Sequence, residues 1–281
     1  MNRRQFLLAA TAASVLRAQS RPVRTISYNV LACLGYPKTP ADKGRLEAAQ
    51  AQMPARMAQE LLLYRPDIVT FCESVTRPTA ERIAGLLGMS FAYFDPGEGP
   101  IAGYPIGFPG TVFTRFQILD SQNAPFARKK DATLFTRHWG RALLSSDSEE
   151  LVLFSGHLFP HSGDVRMREI AEMIAVIGKD MATGRSILFQ GDLNHTPQGP
   201  EYQRWLDAGL VDTFAAKGVG QPNTSSSIQP RGRIDYIWAY GPIAKRLTES
   251  RVLFEGAFRT NPDDPQSFAL SDHLPVMATF D

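Results

Sequence analysis

From Arg21 onward, short apolar, β-branched runs alternate with amphipathic stretches, and most of the apolar runs stop at an acid, an amide or a histidine. Asn29 follows RTISY, Glu73 follows DIVTFC, His157 follows LVLFSG, and Asp192 and Asn194 follow ILFQG. Asp235 lies inside RIDYIW, and Asp272 and His273 precede LPVMATF. A buried carboxylate is costly unless it is paired, protonated or bound to a metal. One such residue is readily a satisfied core group. The same pattern at strand end after strand end points to a common site, because ligands of open α/β sheets bind at strand ends.

Periodicity predicts strands at 23–31, 67–73, 111–119, 141–146, 150–158, 186–192, 233–240, 247–254 and 274–280. Helices are predicted at 43–64, broken or kinked at Pro54; at 79–88, stopped by Gly88; at 164–181, capped by Asp164; and at 200–209, with proline early. About nine strands mixed with four helices give an α/β or α+β fold. No linker composition interrupts residues 21–281, which read as one domain. The Gly/Pro-rich segment 95–110 carries Ile101, Tyr104, Ile106 and Phe108, and reads either as a substrate- or lipid-facing lip or as a surface loop whose aromatics pack down.

Residues 1–20 begin with Arg3-Arg4, continue through an apolar run from Phe6 to Leu16 and end in Ala18-Gln19-Ser20. That order resembles a twin-arginine export signal, cleaved near Ser20–Arg21, and implies a periplasmic or extracellular protein. Without Arg3, Arg4 and Arg17 the mature chain has 27 basic and 28 acidic residues, a net charge of −1. Nucleic-acid binding through phosphates usually requires a basic excess. Here only local clusters such as ARKK at 127–130 provide one. Cys33 and Cys72 read as two small buried hydrophobes or, in an oxidising compartment, as a pair.

The strand-end residues suggest hydrolysis assisted by a hard cation. Glu73, Asp192, Asp235 and Asp272 offer carboxylate oxygens, and Asn29 and Asn194 neutral ones. Oxygen ligands favour Mg²⁺, Mn²⁺ or Ca²⁺ over zinc. His157 and His273 suit acid/base work or phosphate contact, and Asp235 could fix the tautomer of His273.

In this order, SYN, FCE, SGHL, GDLNHTP, RIDYIW and SDHLP resemble the endonuclease/exonuclease/phosphatase superfamily, and its histidine-containing branches in particular. The resemblance covers Arg24 to Phe280. It implies a four-layer sandwich: two mixed β-sheets packed face to face, with helices outside. It also implies Mg²⁺-dependent hydrolysis of a phosphoester by an in-line water. Carried over residue by residue, Glu73 is the main metal ligand, with Asn29 and Asp272 on the metal side. Asp192 and Asn194 orient water and phosphate, His273 pairs with Asp235 at the scissile phosphate, and His157 is the second histidine.

The substrate is expected to be a phosphodiester, in nucleic acid or a phospholipid headgroup, with membrane-surface contact through loop 95–110. Alternatives are a phosphomonoesterase on inositol or sugar phosphates, a non-catalytic phosphate-ligand binder, and a zinc hydrolase built on His157, His161 and Asp192. Nothing in the sequence calls for an obligate protein partner.

Overall fold

The computed structural model describes residues 21–37, 39, 41–95, 107–123, 134–146, 149–261, 263–264 and 266–281. Residues 1–20, where an export signal is expected, most of loop 95–110 and the 127–130 cluster lie outside them. Within these bounds the chain runs β1 (Val23–Asn29), α1 (Lys43–Ala49), α2 (Met53–Leu62), β2 (Ile68–Cys72), α3 (Arg77–Leu87), β3 (Ser90–Phe94), β4 (Gly110–Thr114), β5 (Gln117–Asn123), β6 (Trp139–Ser145) and β7 (Glu150–His157). It continues through α4 (Gly163–Met181), β8 (Ser186–Asp192), α5 (Pro200–Asp207), β9 (Val211–Asp212), α6 (Thr213–Lys217), β10 (Gly218–Val219), β11 (Asp235–Tyr240), β12 (Leu247–Val252) and β13 (Val276–Phe280).

The strands form a seven-stranded sheet, β10-β12-β13-β1-β2-β4-β3, and a six-stranded sheet, β5-β6-β7-β8-β11-β9. In the first, β1 runs parallel to β2 and antiparallel to β13; in the second, β7 runs parallel to β8, which is antiparallel to β11. The sheets pack face to face, with β1 and β2 touching β8. Met53, Met57 and Leu61 of α2 and Ile83 and Leu87 of α3 join the core on the first sheet. Ile170, Met173 and Ile177 of α4 and Trp205 of α5 pack with Trp139, Phe154, Phe189 and Trp238 on the second. This is the expected four-layer sandwich. Truncating a fully buried aromatic such as Trp205 of α5 costs roughly 3–5 kcal/mol, so that helix is firmly held to its sheet. Between the sheets the packing is partly polar: Thr25 donates to Gln190 Oε1 at 2.9 Å, and Gln190 donates to Thr70.

Several boundaries differ from the sequence reading for local reasons. The 43–64 helix is two helices joined by a 3₁₀ turn at Gln50–Gln52, with Pro54 in the first turn of α2, where a missing N–H is harmless. The 111–119 strand is two, because the chain turns at Arg115 and Phe116 and passes from one sheet to the other; Phe116 N donates to Thr114 Oγ1 at 3.0 Å. Ser162, not Asp164, caps α4 by accepting from Val165 N at 3.4 Å; Asp164 sits in the first turn, where its charge suits the helix dipole.

Candidate active site

The sheet topology gathers the strand-end residues. β1 and β2 are parallel and end at Asn29 and Cys72, so Asn29 and Glu73 emerge side by side. His157 of β7 is in register with Asp192 of β8, and Asp235 of β11 faces Asp192 from the other side. β13 runs antiparallel to β1, which returns Asp272 and His273 to the same end. Gly191 is required there: with φ +155°, a Cβ on it would sit 1.8 Å from the Gly156 carbonyl oxygen. The close neighbour that this glycine admits is therefore backbone.

A hydrogen-bond web ties the residues together. Asn29 Nδ2 lies 3.2 Å from Glu73 Oε1 and 3.0 Å from Asp192 Oδ2, joining the two sheets. His273 Nδ1 and Asp235 Oδ2 are 2.8 Å apart. Asp192 Oδ2 lies 3.7 Å from His157 Nε2 and 3.8 Å from His273 Nε2. Asn194 N donates to Asp192 Oδ1 at 3.1 Å, and Asn194 Nδ2 to Leu158 O at 3.0 Å. Ser271 Oγ donates to Asn29 O at 2.7 Å and contacts Asp272 Oδ1 at 3.2 Å.

Two local details position the amides. Asn194 is past the strand with φ +52°, and the local turn closed by its own N–H sets it beside Asp192. The oxygen of Asn29 accepts from Leu31 N at 3.1 Å, so its amide N–H, not its oxygen, faces the carboxylates. Asn29 thus clamps Glu73 and Asp192 through its amide N–H groups. Glu73 is held at φ +45°, a conformation that costs an ordinary residue roughly 1–3 kcal/mol and concentrates at functional sites.

Electrostatics divide the roles. Burial and the Asp235 charge push the Asp192 carboxyl up to about 7. Burial raises Glu73 against the opposing Asn29 hydrogen bond, and the charge of Asp272 adds to the rise. Burial by itself would lower His273, but Asp235 and Asp192 outweigh it and hold the ring well above its ordinary value. His157 is driven the other way, by burial and then by the Arg137 charge, and stays neutral. Ligand atoms of Asp192, Asp235 and His273 lie within 4.8 Å of one another, close enough to share a cation. A charged imidazole has no lone pair to give, however, so this group reads as an acid-held histidinium.

Other polar residues prove structural or newly relevant. His161 is exposed, edge-on to Phe159, and does not join His157 and Asp192 in a zinc site. His195 is buried under the site, accepting from Trp205 Nε1 at 3.1 Å and stacked on Tyr236. Arg166 holds the carbonyls of Phe159 and Pro160 and pairs with Glu201, so it braces the loop after His157. Cys33 and Cys72 are free thiols. Cys72 lies beneath the site, accepting from Asp192 N at 3.3 Å. Phe108, at the described end of loop 95–110, is buried edge-on to His157. Arg137 and His138 are buried next to His157 without any signal in the sequence, since neither ends an apolar run.

No curated protein matches the chain significantly by sequence. Solved structures do match its fold. An endonuclease/exonuclease/phosphatase family protein from Bacteroides thetaiotaomicron superposes with a TM-score of 0.68 at 17% identity, covering 93% of this chain and 98% of that one. A mannosyl-6-phosphatase from the same organism gives 0.67 at 17% identity, over 91% and 98%. The human Nocturnin catalytic domain with bound sulfate gives 0.63 at 18% identity, over 92% and 93%. The Endonuclease/Exonuclease/phosphatase family model matches residues 26–273, which takes in every strand-end residue from Asn29 to His273, and the chain belongs to that family.

Proposed function

We propose that this chain is an exported, Mg²⁺-dependent phosphoesterase that hydrolyses a phosphodiester, in nucleic acid or a phospholipid headgroup, by in-line attack of water. Members of the family are phosphoesterase hydrolases, generally dependent on a divalent metal. The observation that carries the reading is one residue pair beside another: the Asp235-held histidinium of His273 stands 3.8 Å from Asp192, a carboxyl held near neutrality.

The donor set fits a hard cation. Half-buried Glu73 and Asp272 are carboxylates at the edge of the buried cluster, where burial raises Glu73 and the charge of Asp272 adds to the rise. These two would hold Mg²⁺, with Asn29 orienting Glu73. When bound, the ion neutralises phosphoryl charge and lowers the pKa of water. Asp192, with its carboxyl near 7, accepts the proton of the attacking water. The backbone N–H of Asn194 keeps Asp192 oriented. His273 stabilises negative charge on a phosphoryl oxygen from Nε2 while Asp235 fixes Nδ1. Neutral His157, with Nε2 3.7 Å from Asp192 Oδ2, would offer a hydrogen bond to the phosphoryl group from the other side of Asp192.

The test is a substrate panel on mature protein starting near Arg21: supercoiled DNA, single-stranded RNA, sphingomyelin, an inositol phosphate, bis-4-nitrophenyl phosphate and 4-nitrophenyl phosphate, each with Mg²⁺ and with EDTA. Cleavage of a diester only with Mg²⁺ is expected. No cleavage of any ester, or recovery with Zn²⁺ alone, would sink the reading. A second reading, monoester hydrolysis, draws support from the mannosyl-6-phosphatase among the structural relatives; preference for the monoester in the panel would select it. Export is tested by fractionating cells that express the full chain and sequencing the N-terminus of the recovered protein.

A further inference from the structure

Beside the hydrolytic cluster lies a buried cation whose hydrogen-bonding fork is not filled. Arg137 immediately precedes His138 and β6 and is 7% exposed. Its guanidinium carbon lies 5.0 Å from the Phe108 ring centroid and 5.3 Å from that of Phe159. Nη1 donates to Thr136 Oγ1 at 2.8 Å, while Nε is buried with no hydrogen-bond partner. No hydrogen bond joins the fork to the neighbouring acid Glu169, whose two oxygens accept the backbone N–H groups of Phe135 at 2.7 Å and Phe159 at 2.9 Å. Glu169 instead pins the two segments that carry Arg137 and one of its flanking rings.

The position relative to the chemistry follows from the sheet. Across this end of the second sheet the strands run β6, β7, β8, β11, so Arg137, His157, Asp192 and Asp235 follow one another in that order. The β6 side is fastened to β7 where His157 N donates to His138 O at 3.2 Å. Adjacent strands are about 4.8 Å apart, so Arg137 starts about two spacings, roughly 10 Å, from Asp192. An arginine side chain spans much of that gap and leaves room for a phosphoryl group. Glu73 and Asp192 both act electrostatically on the guanidinium. His273 stands beyond Asp192 on the β11 side.

A guanidinium buried with its Nε–H unpaired is costly, and an anion would remove that cost. The planar fork matches two phosphate oxygens, and flanking rings fix its orientation before the anion arrives. A residue that only balanced the carboxylates would not need the fork, and lysine would serve equally well.

We propose that Arg137 is the phosphate-gripping residue of the cleft: its fork takes non-bridging oxygens of the substrate phosphoryl group on the β6 side, opposite His273. This assignment rests on the phosphoesterase reading above and names the residue that recognises the anion.

The experiment measures binding of inorganic phosphate to the mature protein in Mg²⁺ by calorimetry, and product inhibition by phosphate. The proteins compared are wild type, Arg137→Lys and Arg137→Met, with near-ultraviolet circular dichroism to report the fold. Lysine keeps the charge, and methionine keeps an unbranched stem between the rings. Arg137→Lys is expected to bind phosphate about tenfold more weakly and Arg137→Met more weakly still, with KM rising more than kcat falls. Millimolar guanidinium should restore part of the Arg137→Met loss. Phosphate binding unchanged in the lysine variant overturns the proposal. Titration of arginine Nε–H signals of the wild-type protein with phosphate needs no substitution: one strongly shifted signal is expected, and none shifted overturns it. If the wild type cleaves no ester yet binds phosphate through Arg137, the hydrolytic reading fails and the anion site stands. If it cleaves esters and both variants match it, the reverse holds.

Discussion

His273 Nδ1 lies 2.8 Å from Asp235 Oδ2, and both side chains are buried at the mouth of the two sheets. The contact overrides the effect of burial and keeps the imidazole charged. It therefore supplies a fixed positive charge 3.8 Å from Asp192.

Removing that charge control should change the pH profile as well as the rate. Asp235→Asn is expected to lower kcat about 10²-fold or more and to move the alkaline limb of the pH–rate profile toward acid. The sign follows from the raised folded-state pKa of His273. Stabilisation from the pair is complete below the unfolded pKa of histidine, about 6.5, and is lost as pH rises through the higher folded value. Denaturant unfolding of wild type and Asp235→Asn across pH 5–9 should therefore converge at the alkaline end.

Asp192 makes the opposite trade. Its carboxyl is raised to about 7, so ionising it costs folding free energy. The cost is absent below the unfolded pKa, about 3.9, and grows as pH rises toward the folded value. Metal-free Asp192→Asn is expected to melt a few degrees higher than wild type at pH 8, with activity reduced about 10²–10⁴-fold. Melting no higher than wild type at pH 8 would contradict the repulsion assigned to this cluster.

Metal should report on Glu73 without any substrate. Mg²⁺ at 100 times its Kd should stabilise the wild type by about 2.7 kcal/mol, seen as a higher melting temperature. Glu73→Gln should lose most of that shift and, with it, the activity that Mg²⁺ restores after EDTA. An unchanged Mg²⁺-induced shift in Glu73→Gln would remove Glu73 from the metal site.

The strand end itself tolerates no side chain at Gly191. Its Cβ would meet the Gly156 carbonyl oxygen at 1.8 Å, on a backbone that side chains rarely adopt. Gly191→Ala is expected to cost roughly 3 kcal/mol in urea unfolding. An equal substitution at Gly178, where nothing lies within 4 Å of an added Cβ, should be neutral or stabilising.

Much of the fold was legible because local patterns and tertiary structure agree. The runs around Ile68–Cys72 and Ser186–Asp192 are buried along their whole length, and a continuous apolar run is how such a strand reads. The single run at 111–119 misled because hydrophobicity does not mark a change of sheet; the crossing is a turn at Arg115 and Phe116. Glu73, Asp192, Asp235 and His273 could be picked out because carboxylates and imidazoles past apolar strands are energetically out of place. Arg137 could not, since an arginine outside any periodic run is ordinarily a surface residue, and its burial depends on Phe108 and Phe159, both distant in sequence.

The sequence by itself determined most of the strands, the acids, amides and imidazoles that stand at their ends, and the family pattern they follow, because periodicity and residue type are local properties. Only the tertiary structure decided how those side chains meet and which of them carry charge. The parallel β1–β2 and β7–β8 pairs and the antiparallel β11 and β13 place the chosen ends at one edge. There, burial and mutual charge drive His157 neutral, keep His273 charged and hold Asp192 near 7. Chemically identical groups separate in this way because proton affinity is set by desolvation and by charges a few ångströms away, and those distances exist only once the chain has folded.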